Sequence, residues 1–353
     1  MREAGEDVII LFGRSPFSAQ LCYEAMNRPI LVTGHHRAGT TWIGRMLAAS
    51  REAGYIHEPF NPGGRPGICS VRPSRYFTYV PDSDPDRWRK ALQATLSFRY
   101  DVRAELKAIQ SLKDIGRMVR DYGRFTWLRY RERRAVMKDP IALFSAEWLA
   151  KQFGAAVIVL IRHPAAFVSS LLRLGWTFPF EDLLDQPKLI ETYLSPFEAE
   201  IRHHARTDTD LINQAVSLWK MFQHVISTYR DQHPSWKIVR MEDLAIEPIP
   251  KIGELYRYAD LSYTDRAQRT VRRHTHSANP SEVKTDNAKE TQRDSQRAIY
   301  QWTQRLSREQ IEAVRSGLAG VSPEFYSHDD WDDWINDVPD GMAPATPFES
   351  PAS

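Results

Sequence analysis

Short apolar runs rich in β-branched residues alternate with longer amphipathic stretches along this chain. The runs over 8–12, 29–33, 135–138 and 155–161, and the one opening at Trp236, read as strands. The continuous 155–161 run, AAVIVLI, suits a strand buried on both faces of a parallel sheet. Helical periodicity is expected from Thr41 to about Ser50, across 86–130, over 144–153, from His163, from Asp210 to Tyr229 and over 251–259. In the 86–130 stretch Trp88, Leu92, Leu96 and Tyr100 recur every four residues. Ser307 and Gln310 form a capping box ahead of a further helix. WKIVRMEDL is expected to be a strand followed by a turn, and the polar stretch from Arg272 to Arg297 a loop or lid. Strands alternating with helices predict an α/β fold built on a mostly parallel central sheet.

Composition narrows the class. The 353 residues carry a formal net charge of +2 with 26% charged residues, which argues against a dominant nucleic-acid role. Cys22 and Cys69 form no disulfide framework and point to a reducing compartment, so a cytoplasmic location is expected. The start shows no signal-peptide pattern, and no stretch approaches the ~20 apolar residues of a membrane span. The histidine pairs at 35–36 and 203–204 and the HTH at 274–276 read as ordinary histidines, so no metal site is expected.

PILVTGHHRAGTTW, from Pro29 to Trp42, carries the chemistry. A strand ends at Gly34, Gly39 follows five residues later, and Thr40 and Thr41 open a helix at Trp42. Such a glycine-bounded loop turns backbone N–H groups toward a phosphate. The nucleotide P-loop places lysine after its second glycine, and Thr40 stands there instead, which argues against a P-loop kinase or NTPase. Arg37 is the nearest cation within the loop.

Four separated stretches make the chain resemble the sulfotransferases that use 3′-phosphoadenosine 5′-phosphosulfate. HRAGTTW (36–42) is similar to the family's 5′-phosphosulfate loop, and IRHPAAFVSS (161–170) to its 3′-phosphate motif, with Arg162 and Ser170 eight positions apart. VRMEDLAIEP (239–248) resembles a strand that ordinarily carries tyrosine where Met241 stands, and IYQWTQRLSREQIEAV (299–314) a helix pair of bacterial members. The resemblance implies a P-loop-containing three-layer α/β fold with the donor beyond the C-terminal strand ends. The resemblance spans roughly residues 29–325, so one domain is expected over 1–327 with helical insertions at about 86–130 and 176–230 on the acceptor side, and the composition of 328–353 reads as an acidic, Pro-rich tail.

By the same resemblance His36, Arg37, Ala38, Gly39, Thr40, Thr41 and Trp42 hold the 5′ end of the donor, Arg37 also acting catalytically to stabilise the charge that develops on transfer, and Arg162 with Ser170 hold the 3′-phosphate. Ser169 competes with Ser170 in a shifted register. Arg272, Arg273, Lys284 and Arg293 are candidates for a basic rim, and Trp42 and Trp302 for framing adenine. Glu58 corresponds to the catalytic glutamate of carbohydrate and tyrosyl-type members, with His57 and Asp139 in reserve as base. Lys138 matches a lysine that contacts the reacting sulfate, while Pro140 replaces the histidine of small-molecule members. The implied reaction transfers a sulfuryl group to a carbohydrate, glycolipid or hydroxylated metabolite and needs no metal. The acceptor side is expected among Trp88, Trp127, Tyr130, Trp176, Phe178, Phe180 and Tyr193, which do not choose between a sugar, an aromatic ring and a lipid headgroup. The implied protein is a monomer or homodimer; a P-loop kinase or NTPase and a non-catalytic nucleotide-binding protein are the alternatives.

Overall fold

The computed structural model describes residues 28–207, 209–282, 291–319, 321, 324–327 and 330–331. The expected strand over 8–12, Cys22, Lys284 and the tail residues Asp329, Asp332 and Asp333 lie outside these. Five strands, β1 (Ile30–Gly34), β2 (Ala53–His57), β3 (Arg134–Lys138), β4 (Ala156–Ile161) and β5 (Lys237–Arg240), form one sheet in the order β2-β3-β1-β4-β5. Every pairing is parallel. β1 lies at the centre, with Val32 opposite Lys138 on one side and Gly34 opposite Leu160 on the other.

Alternation along the strands explains the three layers. Ile30, Val32, Val136, Ile158 and Leu160 face one apolar cluster. Leu31, Met137, Val157, Val159 and Ile161 face the other. Side chains alternate with period two along a strand, so a sheet covered by helices on both faces needs apolar residues at both parities. α1 (Thr40–Leu47) covers the first face with Ile43 and Leu47. On the second face lie α2 (Pro164–Leu174) through Phe167 and α3 (Leu211–Gln232) through Phe222 and Val225. After β5 come α4 (Met241–Ile246) and α5 (Pro248–Tyr258), the latter returning to the first face through Ile252 and Leu255.

Three expectations give way to finer structure. The helical stretch 86–130 is broken into Pro85–Leu96, Val102–Leu106 and Leu112–Tyr130. Phe98 adopts a left-handed φ of 51°, which ends the first piece before Tyr100. The Asp101 and Ser111 side chains then accept N–H groups of Ala104 and Asp114 and restart the helix each time. The turn expected after β5 is instead α4. In the stretch from Arg272 to Arg297, Arg272 and Arg273 belong to the last turn of α6 (Asp265–Thr275), and α7 (Ser295–Arg305) begins before the expected loop is over. The predicted box at Ser307 is present, with both reciprocal bonds, on the helix Arg308–Gly317.

Candidate functional site

The C-terminal ends of β1, β3 and β4 open onto a cavity of about 560 Å³. Its floor is the loop joining β1 to α1. Gly34 leaves the strand at φ 140°, where an added Cβ would lie 2.1 Å from the Leu160 carbonyl oxygen. Only glycine permits β1 and β4 to approach so closely at the point where the chain turns. Arg37 (φ 67°) and Gly39 (φ 87°) are also left-handed, and Gly39 is the N-cap of α1. Thr40 and Thr41 therefore place the unpaired N–H groups of a helix start on the cavity, an arrangement that favours an anion.

His35 pins this loop to the end of β4. Its Nε2 accepts the Arg162 backbone N–H at 3.0 Å, so Nδ1 carries the ring proton and donates to the His36 carbonyl at 2.7 Å. The ring is fully buried, edge-on to Phe167 at 4.8 Å. Burial lowers its pKa to about 4; the His36 carbonyl opposes that shift and the charge of Arg162 adds to it. His36 beside it lines the cavity and is lowered to about 3, again by burial and then by His35 and Arg37.

Guanidinium groups from separate segments of the chain crowd one wall of the cavity. Arg37 Nε donates to Ser170 Oγ at 2.9 Å, and Arg162 donates to the Arg37 carbonyl at 3.2 Å. Arg37, Arg162 and Arg293 all line the cavity. Burial and then repulsion among Arg162, Arg293, Arg173 and Arg305 push Arg37 down to about 10. Arg293 falls to about 10 for the same two reasons. Glu282 bridges Arg173 at 2.6 Å and Arg305 at 2.8 Å. Glu242, fully buried, accepts the His163 N–H at 3.0 Å and the Tyr326 hydroxyl at 2.6 Å. It backs this wall without entering the cavity. Concentrated, partly desolvated positive charge of this kind is suited to a polyanion.

Across the cavity Glu58 projects from the turn after β2 at a left-handed φ of 44°. Its backbone N–H is held by the Lys138 carbonyl at 2.9 Å. One carboxylate oxygen is ion-paired to Lys138 Nζ, and the other accepts from Asn61 Nδ2 at 2.8 Å. Burial works against this charge, yet Lys138, backed by His57 and Asn61, holds Glu58 below the usual carboxylate range. Lys138 is itself fully buried beneath it.

Some sequence candidates sit elsewhere. Ala38 packs into the core and contributes backbone to the loop. Arg272 is exposed at the end of α6 and does not line the cavity. Trp42 does line it, whereas Trp302 is buried and stacked on His163 at 5.0 Å. Asp139 is fully buried, accepts the N–H groups of Phe60 at 2.6 Å and Ile141 at 3.0 Å, and is pushed up to about 8 by burial and then by Glu58. It lies outside the cavity wall. The His57 side chain is 41% exposed, bonded to the Tyr55 hydroxyl at 3.2 Å and 3.9 Å from Glu58. It borders a separate shallow hollow. Of the aromatic candidates Trp176 and Phe178 reach the cavity. Trp88, Phe180 and Tyr193 are core residues, and Trp127 and Tyr130 are exposed on the helix Leu112–Tyr130. None of residues 86–130 lines the cavity.

Sequence reasoning passed over Arg173 and Arg305. Arg173 lies one helical turn beyond Ser170 and was discoverable from that spacing. Arg305 and Glu282 meet only through the fold. Among the described residues no group of three or more His, Cys, Asp and Glu is placed to hold a metal ion, and no helix is long and apolar enough to cross a membrane.

The sequence profile of the sulfotransferase family matches residues 29–265. No curated protein matches the chain. Among solved structures, the sulfotransferase domain from the curacin biosynthetic pathway aligns at 12% identity over 82% of this chain and 96% of that one, with a TM-score of 0.43. A sulfotransferase from Mycobacterium tuberculosis aligns at 19% identity over 86% of this chain and 80% of that one, with a TM-score of 0.39. The sulfotransferase domain of a Synechococcus olefin synthase gives 12%, 83% and 96%, and 0.39. At such identities and scores the assignment rests on the family profile. Because that match spans well over half of its length, the chain belongs to the sulfotransferase family, enzymes that take 3′-phosphoadenosine 5′-phosphosulfate as donor and release adenosine 3′,5′-bisphosphate.

Proposed function

We propose that the loop from His35 to Thr41 is a P-loop-like cradle for the donor's 5′-phosphosulfate, with Arg162, Ser170 and Arg293 receiving its 3′-phosphate. Trp42 flanks the adenine. Glu58 takes the proton of the acceptor hydroxyl as that oxygen attacks sulfur and the bond from sulfur to the 5′-phosphate oxygen breaks. Arg37 and Lys138 offset the negative charge that develops on the leaving oxygen and the transferred group. The acceptor is a hydroxyl on a carbohydrate, glycolipid or hydroxylated metabolite, approached from the side of 176–179.

One observation carries this reading: a single cavity has the Arg37–Arg162–Arg293 cluster on one wall and Glu58 on another, with Lys138 paired to Glu58 from behind. Glu58 is ionised at neutral pH, so it is ready to receive a proton, and its turn leaves it facing the cavity. Asp139 and His57 lack that placement. The pairing with Lys138 has a chemical use as well. As Glu58 gains a proton it loses its hold on the lysine, which becomes free to follow the charge onto the transferred group.

Labelled-sulfate transfer and calorimetry with adenosine 3′,5′-bisphosphate test the two halves separately. Glu58→Gln should lower turnover by roughly a hundredfold or more while bisphosphate affinity stays within about twofold. Arg162→Ala should weaken bisphosphate binding roughly ten- to hundredfold. A fully active Glu58→Gln enzyme would remove Glu58 as the base, and unchanged affinity in Arg162→Ala would remove the phosphate assignment.

A further inference from the structure

Away from the arginines the cavity wall changes character. Tyr76, Phe77, Ile141, Trp176 and Phe178 present rings and a branched aliphatic to it. Phe77 and Phe178 lie 5.9 Å apart, centroid to centroid, and Phe77 packs beneath against Phe222 at 5.0 Å. Tyr76 and Trp176 remain 44% and 48% exposed, so the apolar wall runs out to the surface.

Several of the polar groups near this wall are already engaged. Asn61 gives an amide hydrogen to Glu58 and its oxygen accepts the Gly63 N–H at 2.9 Å. Ser295 donates to the Ala245 carbonyl at 2.8 Å, and Thr291 is bonded to Arg45 at 3.2 Å and to His274 at 3.0 Å. Among the described residues Thr177, the Tyr76 hydroxyl, the His36 ring against Phe77 at 5.6 Å and the second Asn61 amide hydrogen remain on this side apart from Glu58, and the Arg37 guanidinium lies 5.7 Å from the Trp176 ring. A bare sugar seated here would bring several hydroxyls and find partners for few of them. Each hydroxyl desolvated without a partner costs roughly ten- to hundredfold in affinity. An alkyl or aryl body suffers no such loss and gains about fourfold per buried methylene.

Building on the donor placement given above, we propose that the acceptor subsite takes a hydroxyl carried on an apolar body. Its class is an aryl or long-chain alcohol with few other hydroxyl groups. The hydroxyl meets Glu58, and the body lies along Phe77, Ile141 and Phe178 toward Trp176.

Calorimetry with simple alcohols of graded apolar length decides this. Adenosine 3′,5′-bisphosphate is titrated first and reports the donor site alone. A series of 4-n-alkylphenols, from ethyl to hexyl, and methyl β-glucoside and methyl β-cellobioside are then titrated with and without saturating bisphosphate. The dissociation constant of the phenols should fall about three- to fourfold per methylene until the cavity is filled. The glucosides should bind at least a hundredfold more weakly than 4-hexylphenol. Phe178→Ala should weaken 4-hexylphenol about tenfold or more and leave the bisphosphate constant within about twofold. The exposed-site variant Tyr76→Ala should weaken it in the same direction, which guards against a folding defect at Phe178. A flat chain-length series, glucosides that match the phenols, or no detectable phenol binding would overturn the proposal. Failure of bisphosphate binding alone would instead overturn the donor placement, and the phenol series would still report on the apolar wall.

Discussion

Acid should weaken this protein through one buried ring, and His35→Gln measures by how much. Neutral His35 accepts from the Arg162 N–H and donates to the His36 carbonyl, so a second ring proton would face an N–H group and break the strut between loop and sheet. Its pKa is lowered to about 4 in the folded protein, chiefly by burial, against about 6.5 in the unfolded chain. Below pH 6.5 the unfolded chain takes up a proton that the folded one refuses until about pH 4. Stability from this group is therefore complete above about pH 6.5 and is lost as pH falls toward 4. Between pH 7 and pH 5 the loss is about 2 kcal/mol, a large part of a typical stability of about 5–15 kcal/mol. Glutamine keeps an acceptor for Arg162 but does not titrate. Urea unfolding of both proteins at a series of pH values should show the variant less stable at pH 7, with the gap closing by about 2 kcal/mol at pH 5. His163, lowered by burial, Arg240 and Arg162, titrates equally in both proteins and cancels in the difference; His36 is lowered in part by His35, so both proteins carry His36→Gln in this comparison. A gap that is the same at pH 5 and pH 7 would refute the buried neutral tautomer and the strut built on it.

Two other substitutions probe neighbouring parts of the site. Gly34→Ala sets a Cβ against the Leu160 carbonyl oxygen at 2.1 Å and a side chain at φ 140°; a loss of at least about 3 kcal/mol is expected, read as a fall in Tm. A variant that melts with the native protein would mean that the β1–β4 approach is looser than this contact requires. Lys138→Met strips Glu58 of its buried counter-charge, which should cost about 3–5 kcal/mol of stability and raise the Glu58 pKa. The acid limb of the pH–rate profile should then move to higher pH by at least about one unit, and an unmoved limb would separate Lys138 from the base.

The middle of the sheet was legible because β1, β3 and β4 are buried on both faces. Such strands read as apolar runs, and with the half-buried β5 four of the five stand within a residue or two of where the pattern places them. The boundaries of the helical stretch 86–130 were not legible, since Asp101 and Ser111 act as caps only once Phe98 has turned the chain. The polar stretch from Arg272 misled for a related reason. Past Val271 the last turn of α6 exposes Arg272 and Arg273 and buries no apolar residue, so by itself it reads as loop.

By itself the sequence determined the phosphate-loop pattern, because Gly34, Gly39, Thr40 and Thr41 act through local backbone geometry, where neighbours in the chain suffice. It also placed Arg162 and Ser170 on successive elements and marked Glu58 as a candidate. Tertiary structure decided what these groups face. Arg37 meets Ser170 across 133 residues, Lys138 meets Glu58 across 80, and Glu282 divides itself between Arg173 and Arg305. It also separated Arg293 from Arg272, Trp42 from Trp302 and Glu58 from Asp139, pairs that composition and spacing leave equivalent. Charge and burial act through space, so the ionisation of Glu58, the neutrality of His35 and the apolar acceptor wall follow from which distant segments the sheet brings to one end.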